Sequence, residues 1–255
     1  MARVRVGGLV FEEAPENLDE AYVIAPQGLS GWFEGIAVRN EDVPRPNAHG
    51  SFDAPTFAAA RVPAIEGNII APSAEILDRM RLALTGILGV GRKGRMVVDG
   101  PTGATWADVR RVGQPQLGEA TTGTESTFQV QFWAPNPRRY GDVQTTIMST
   151  AATAFHRGNF EAHAIVEVTG WMPGGYTLPG PNGEQFVVKQ DPNGATHRID
   201  MATGRLYLNG VLQIGQVARA ETWTIPPGAQ IVHTITPAAV TGQGFLRVLT
   251  TDTYI

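Results

Sequence analysis

Residues 126–141, STFQVQFWAPNPRRYG, constrain the fold of this chain more than any other stretch. The first half alternates, with Phe128, Val130 and Phe132 set against Thr127, Gln129 and Gln131. A period of two marks a strand with one buried face. Ala134-Pro135-Asn136-Pro137 then ends it, because neither proline can donate to a ladder and each holds the preceding residue extended. The segment reads as the last strand of one domain entering a stiff elbow, with Arg138, Arg139 and Tyr140 at its exit. The expected division is a β domain over 1–135, a Pro-rich elbow over 136–144 built on Pro135, Pro137, Arg138 and Arg139, and a second β domain over 145–255.

The first domain opens with RVRVGGLVF, an alternating run turned at Gly7-Gly8, which predicts a hairpin or a bulged strand. In GWFEGIAVR, Trp32, Ile36 and Val38 again alternate and predict a strand, while Pro63 assigns Arg61–Ile70 to a sheet edge or a bulge. One helix is expected over about residues 73–88. Ser73 can cap it, Glu75 lies in the first turn, and Gly89 can close it. Ile76, Leu77, Met80, Leu84, Ile87 and Leu88 form its apolar face. Beyond the elbow, short strands over 162–168, 185–189, 196–200, 206–208, 221–225 and 244–249 alternate with turn signals such as Pro192-Asn193-Gly194 and Asn209-Gly210. That spacing predicts a β-sandwich without helices. The fold class is mainly β.

Glycine (30) and proline (18) are abundant without a short repeat, which fits many turns rather than disorder. The net charge of −4 argues against a nucleic-acid partner. The acidic block Glu12, Glu13, Glu16, Asp19 and Glu20 and the basic block Arg92, Lys93 and Arg95 read first as solvated loops, and alternatively as opposed charges that dock neighbouring copies head to tail. Without cysteine there is no disulfide, thiolate metal site or cysteine nucleophile. No apolar run reaches about 18 residues, so no membrane insertion is expected, and the chain reads as one made in a cytoplasm.

Reactive motifs fail on their context. Gly89-Val-Gly-Arg-Lys-Gly94 matches G-x-G-x-x-G but follows a helix, so no helix N-terminus would meet a pyrophosphate. Asp191-Pro-Asn-Gly194 begins like a calcium loop, yet Ala202 stands where the bidentate glutamate belongs. The five histidines lack metal spacing, and no G-x-S-x-G occurs. No catalytic residue, cofactor or metal is expected, and the chain does not read as an enzyme. Among the tryptophans, Trp171 lies in the Gly/Pro-rich GWMPGGYTLPG, with Tyr176 nearby. This pair is the candidate aromatic platform for a glycan, set against burial in a core or interface.

Several segments together resemble the distal tail protein (Dit), or minor tail protein, family of long-tailed, non-contractile bacteriophages. They are GWFEGIAVRNEDVPRPNAHGSF (31–52), the strand from Arg61 with the helix after it, FWAPNPRRYG (132–141), HRGNFEAHAIVEVTG (156–170) and HRIDMATGRLYLNG (197–210). Their order along nearly the whole chain carries the resemblance, since each alone is built of turn and core residues. The resemblance implies an N-terminal domain with one helix that assembles into a ring, typically a hexamer, and a C-terminal galectin-like β-sandwich outside it. It further implies a structural virion protein at the tail tip, a baseplate hub joining the tail tube protein to hub or fibre proteins and made in the host bacterial cytoplasm. The alternative function is a carbohydrate-binding sandwich that contacts host-surface glycans.

Overall fold

The computed structural model describes residues 2–101, 103–118 and 123–255. The chain forms two compact units, Met1–Arg139 and Tyr140–Tyr254. The first contains β1 (Arg3–Val6), β2 (Leu9–Glu12), β3 (Ala21–Ser30), β4 (Val38–Arg39), β5 (Phe57–Ala58), β6 (Ala64–Ile70), α1 (Ala74–Gly86), β7 (Lys93–Gly100), β8 (Gly103–Leu117) and β9 (Glu125–Trp133).

Seven of these strands close on themselves in the order β1-β2-β3-β6-β9-β8-β7 and back to β1. Antiparallel neighbours alternate in direction, so a closed ring with an odd number of strands needs a parallel pair. β2 and β3 supply it, with Phe11 opposite Tyr22. Closure depends on β8, which pairs with β7 over residues 103–110 and with β9 from Arg110 to Leu117. A bulge between Val112 and Gln116 turns the strand around the corner, and Gly113 supplies the left-handed residue there (φ 66°). The inward positions are apolar, with Val4, Phe11, Ile65, Met96, Val98 and Phe132 at zero exposure.

α1 covers this barrel with Leu77, Met80 and Leu84 buried. Ser73 Oγ accepts from the Ile76 amide at 3.4 Å, and the Tyr22 hydroxyl donates to the Met80 carbonyl at 2.8 Å. The helix ends at Gly86, short of the expected closure at Gly89. Leu88 turns left-handed (φ 42°) so that its side chain packs on the core, close above Gly94.

The hairpin expected at Gly7-Gly8 forms, both glycines having positive φ. Two expectations need correction. Residues 31–37 are irregular rather than a strand, because Trp32 turns inward, fully buried, and donates from Nε1 to Thr105 Oγ1 at 3.1 Å. β6 is not an edge: it starts just after Pro63, so the missing N–H lies outside the ladder, and it pairs on both sides, while the bulge alternative is met in its pairing with β3, whose register shifts between Ile24 and Leu29. Gly67 lets β3 and β6 meet, since a Cβ there would stand 1.9 Å from the Val23 carbonyl oxygen.

The second unit adds β10 (Arg139–Thr145), β11 (Ala151–Ala154), β12 (Ala162–Trp171), β13 (Tyr176–Pro179), β14 (Gln185–Val188), β15 (His197–Asp200), β16 (Arg205–Leu208), β17 (Val211–Leu212), β18 (Val217–Ala220), β19 (Thr224–Ile225), β20 (Ile231–Thr234), β21 (Thr236–Pro237) and β22 (Gln243–Tyr254). β10 begins inside the segment expected to be elbow. One layer runs β17-β16-β15-β12-β22-β10 and the other β18-β14-β13-β21. Val166, Ile199 and Val248 from the first layer share one core with Tyr176, Phe186 and Val188 from the second. Two sheets facing across a common apolar layer make a sandwich. No helix follows α1 among the described residues.

Candidate functional site

The elbow is organised by a residue that periodicity does not single out. Arg61 forms a two-bond antiparallel bridge with Ala134: its amide donates to Ala134 O at 3.1 Å, and the Ala134 amide donates back at 2.8 Å. Its side chain is 1% exposed. From there Nε donates to the Pro137 carbonyl at 3.0 Å, while Nη1 reaches the carbonyls of Gly31 (3.0 Å), Trp32 (2.7 Å) and Glu34 (3.2 Å). One guanidinium thereby ties the loop after β3 to the backbone of the elbow.

Its fork of donors suits this task, since carbonyl oxygens converging from several directions need several N–H vectors. Burial pushes its pKa down to about 10, with Arg139 adding to the fall and Glu34 opposing it. It remains a cation at neutral pH. Carbonyl dipoles at Nε and Nη1 replace part of the water it has lost, while Nη2 is buried without a hydrogen-bond partner.

Pro135 is exposed, and Pro137 and Arg138 are half-buried. The Asn136 side chain accepts from the Arg138 amide at 3.2 Å, which caps the turn. Arg139 is 7% exposed and lies over the Phe33 ring at 5.7 Å. The structure thus brings the elbow residues together with Arg61 and the 31–34 loop. A lone cation within the apolar run AAARVPAI is the signal that points to Arg61.

From that loop projects an arm, residues 33–60, in which no residue is buried. β4 and β5 pair along it, and further out Pro44 bridges Ser51. Arg45 N donates to Gly50 O at 3.1 Å, Phe52 N to Val43 O at 2.9 Å, and the Ser51 hydroxyl to Asp42. The arm is held by its backbone, and Val38, Val43, Phe52 and Phe57 are 47–62% exposed.

The charge blocks are matched in part within the chain. Glu12 pairs with Arg3 at 2.9 Å, Glu20 with Arg79 at 2.9 Å, and Asp108 with Lys93 at 2.9 Å and Arg95 at 3.7 Å. Arg95 also stacks over Trp106 at 3.6 Å.

The two aromatics of the candidate glycan platform separate. Trp171 ends β12 and is 52% exposed, whereas Tyr176 opens β13 and is 1% exposed. The Tyr176 hydroxyl meets His197 Nδ1 at 3.0 Å inside the core, and burial raises its pKa. Tyr176 therefore does not share a surface with Trp171. The intervening Gly174-Gly175 turn sends it to the opposite sheet, inward. Among the described residues no group of three or more His, Asp or Glu is arranged to hold a metal ion, and no helix is long and apolar enough to cross a membrane.

A closed barrel with one helix, followed by a sandwich, is the class of structure that these elements define. Among solved structures it matches the Dit protein (gp 19.1) of phage SPP1, described as a hub adsorption apparatus in phages that infect Gram-positive bacteria. The TM-score is 0.78 over 100% of both chains, at 12% identity. The chain shares that protein's fold from end to end. A chain of the phage P2 baseplate in its activated conformation aligns over 98% of both chains, with a TM-score of only 0.38 at 7% identity. No protein-family model matches the chain, and no curated protein matches it significantly.

Proposed function

We propose that this chain is a structural, non-enzymatic protein of a phage tail tip, a hub whose barrel unit assembles into a ring. The observation that carries this reading is the arm. A segment of 28 residues, none of them fully buried, exposes Val38, Val43, Phe52 and Phe57, an apolar surface suited to burial against a partner. The full-length likeness in fold to a protein described as a hub supports an assembling role, and in this reading a second copy of the chain covers the arm. The hub, a hexamer in this reading, joins the tail tube protein on one side to tail-tip hub or fibre proteins on the other. It is made in the bacterial cytoplasm and carried in the virion, without nucleic-acid recognition, cofactor or metal. Pro135, Pro137, Arg138 and Arg139, braced by Arg61, form the elbow that ends the barrel unit, and the sandwich after it is galectin-like in this reading. Negative-stain imaging of the purified chain tests this: rings with a central opening are expected, and isolated particles with and without the tail tube protein would contradict it.

A second reading, a carbohydrate-binding sandwich, draws on the exposure of Trp171.

A further inference from the structure

The outward residues of the first sandwich layer line up across its strands. The register sets Arg247 of β22 opposite Glu167 of β12, Glu167 opposite Arg198 of β15, and Arg198 opposite Tyr207 of β16. Arg247 Nε donates to Glu167 Oε2 at 2.5 Å and Arg198 Nη1 to Oε1 at 3.1 Å. The carboxylate is nearly covered, its side chain 10% exposed, while both arginines keep close to half of their surface in solvent. Opposite charges facing each other across strands stabilise the sheet, and the set carries one cation more than that pairing needs. This one holds two guanidiniums on one carboxylate, with N–H donors to spare on each cation.

Large aromatics continue the same face. Phe245, two residues before Arg247, is 41% exposed, and Trp171, four residues after Glu167, is 52% exposed. Phe245 stands opposite Thr169 and Trp171 opposite Gln243, so the rings follow the arginine pair along β12 and β22. At strand rise the strip is about 13 Å long, enough for a short run of pyranose rings.

We propose that this strip, Arg198–Glu167–Arg247 with Phe245 and Trp171, binds a carboxylate-bearing saccharide. The planar forks take the carboxylate, and the rings stack on the sugar faces. Excess positive charge on an otherwise acidic protein selects the anion, and exposed flat rings select a carbohydrate over an acidic peptide. The inference rests on the carbohydrate reading of the sandwich and is independent of ring assembly.

The test is titration calorimetry of the full chain at low salt with tetragalacturonate, its fully methyl-esterified neutral form, and polyglutamate. The acid should bind roughly tenfold tighter than the ester, because a charge-assisted bidentate contact is lost. Trp171→Ala and Phe245→Ala, both at exposed positions, should weaken binding several-fold with unchanged thermal melting, and Arg198→Gln should abolish the preference for acid over ester. Equal binding of acid and ester that is lost in Trp171→Ala would overturn the acidic specificity and leave the carbohydrate reading standing. Absence of binding to either sugar would overturn both. Polyglutamate binding as tightly as the sugar, insensitive to Trp171→Ala, would assign the strip to an acidic protein partner instead.

Discussion

The Arg61 guanidinium donates to the Pro137 carbonyl across 76 positions of sequence, at 3.0 Å and almost wholly out of solvent. Proline 137 has no N–H of its own to anchor the elbow, so the carbonyl is the backbone group through which it can be held. The same cation collects three carbonyls of the 31–34 loop, which places the root of the arm and the root of the elbow on one side chain.

Arg61→Ala should cost about 3 kcal/mol or more of unfolding free energy, since one buried and three part-buried carbonyls lose a charged donor. Arg61→Lys retains the charge but not the fork, and should recover less than half of that loss. Urea unfolding of the three proteins ranks them, and a Lys variant equal to wild type would show that charge alone suffices.

Tyr22→Phe removes the 2.8 Å bond to the Met80 carbonyl and leaves the ring packing, with Phe11 at 5.2 Å between centroids, in place. The expected loss is about 1 kcal/mol, the ordinary worth of one buried hydrogen bond. It is measured as a shift in denaturant midpoint at unchanged slope.

The sandwich should weaken in acid. His233 is 2% exposed and accepts the Trp223 indole N–H at 3.0 Å, and burial pushes its pKa down to about 4. An unfolded histidine titrates near 6.5. Between these values the unfolded chain holds the additional proton, so the contribution of neutral His233 is complete above about pH 6.5. It falls as pH drops toward 4, by about 3 kcal/mol in all. Burial lowers His197 in the same direction. Denaturant midpoints taken near neutrality and near pH 4.5 should differ accordingly, and His233→Gln should flatten the difference.

Legibility in the sequence follows the physics of each element. Alternation revealed β9, β12 and the start of β1 because each buries one face. The helix was legible from its cap and apolar face. The barrel's closure was not, because it depends on β8 pairing with two partners and on one parallel pair, and neither leaves a local pattern. β13 was hidden by the glycines and prolines around it, so Tyr176 read as a surface neighbour of Trp171. Arg61 was missed because its role is made by carbonyls, which every sequence contains. The charge blocks were visible, but their partners Arg3, Arg79 and Asp108 come together only in the fold.

In the proposed assembly the apolar arm is buried by a second copy. Light scattering of the purified chain, beside a variant carrying Phe52→Asp and Phe57→Asp, tests it most directly. Phe52 and Phe57 are 55% and 62% exposed in the single chain, so the double variant should keep its unfolding free energy within about 0.5 kcal/mol. The wild type should show a mass several-fold above the 27.3 kDa chain, and the variant should fall to that single-chain mass. A wild type that stays at 27.3 kDa at every concentration, alone and mixed with the tail tube protein, would contradict the account, as would a variant that assembles as well as wild type.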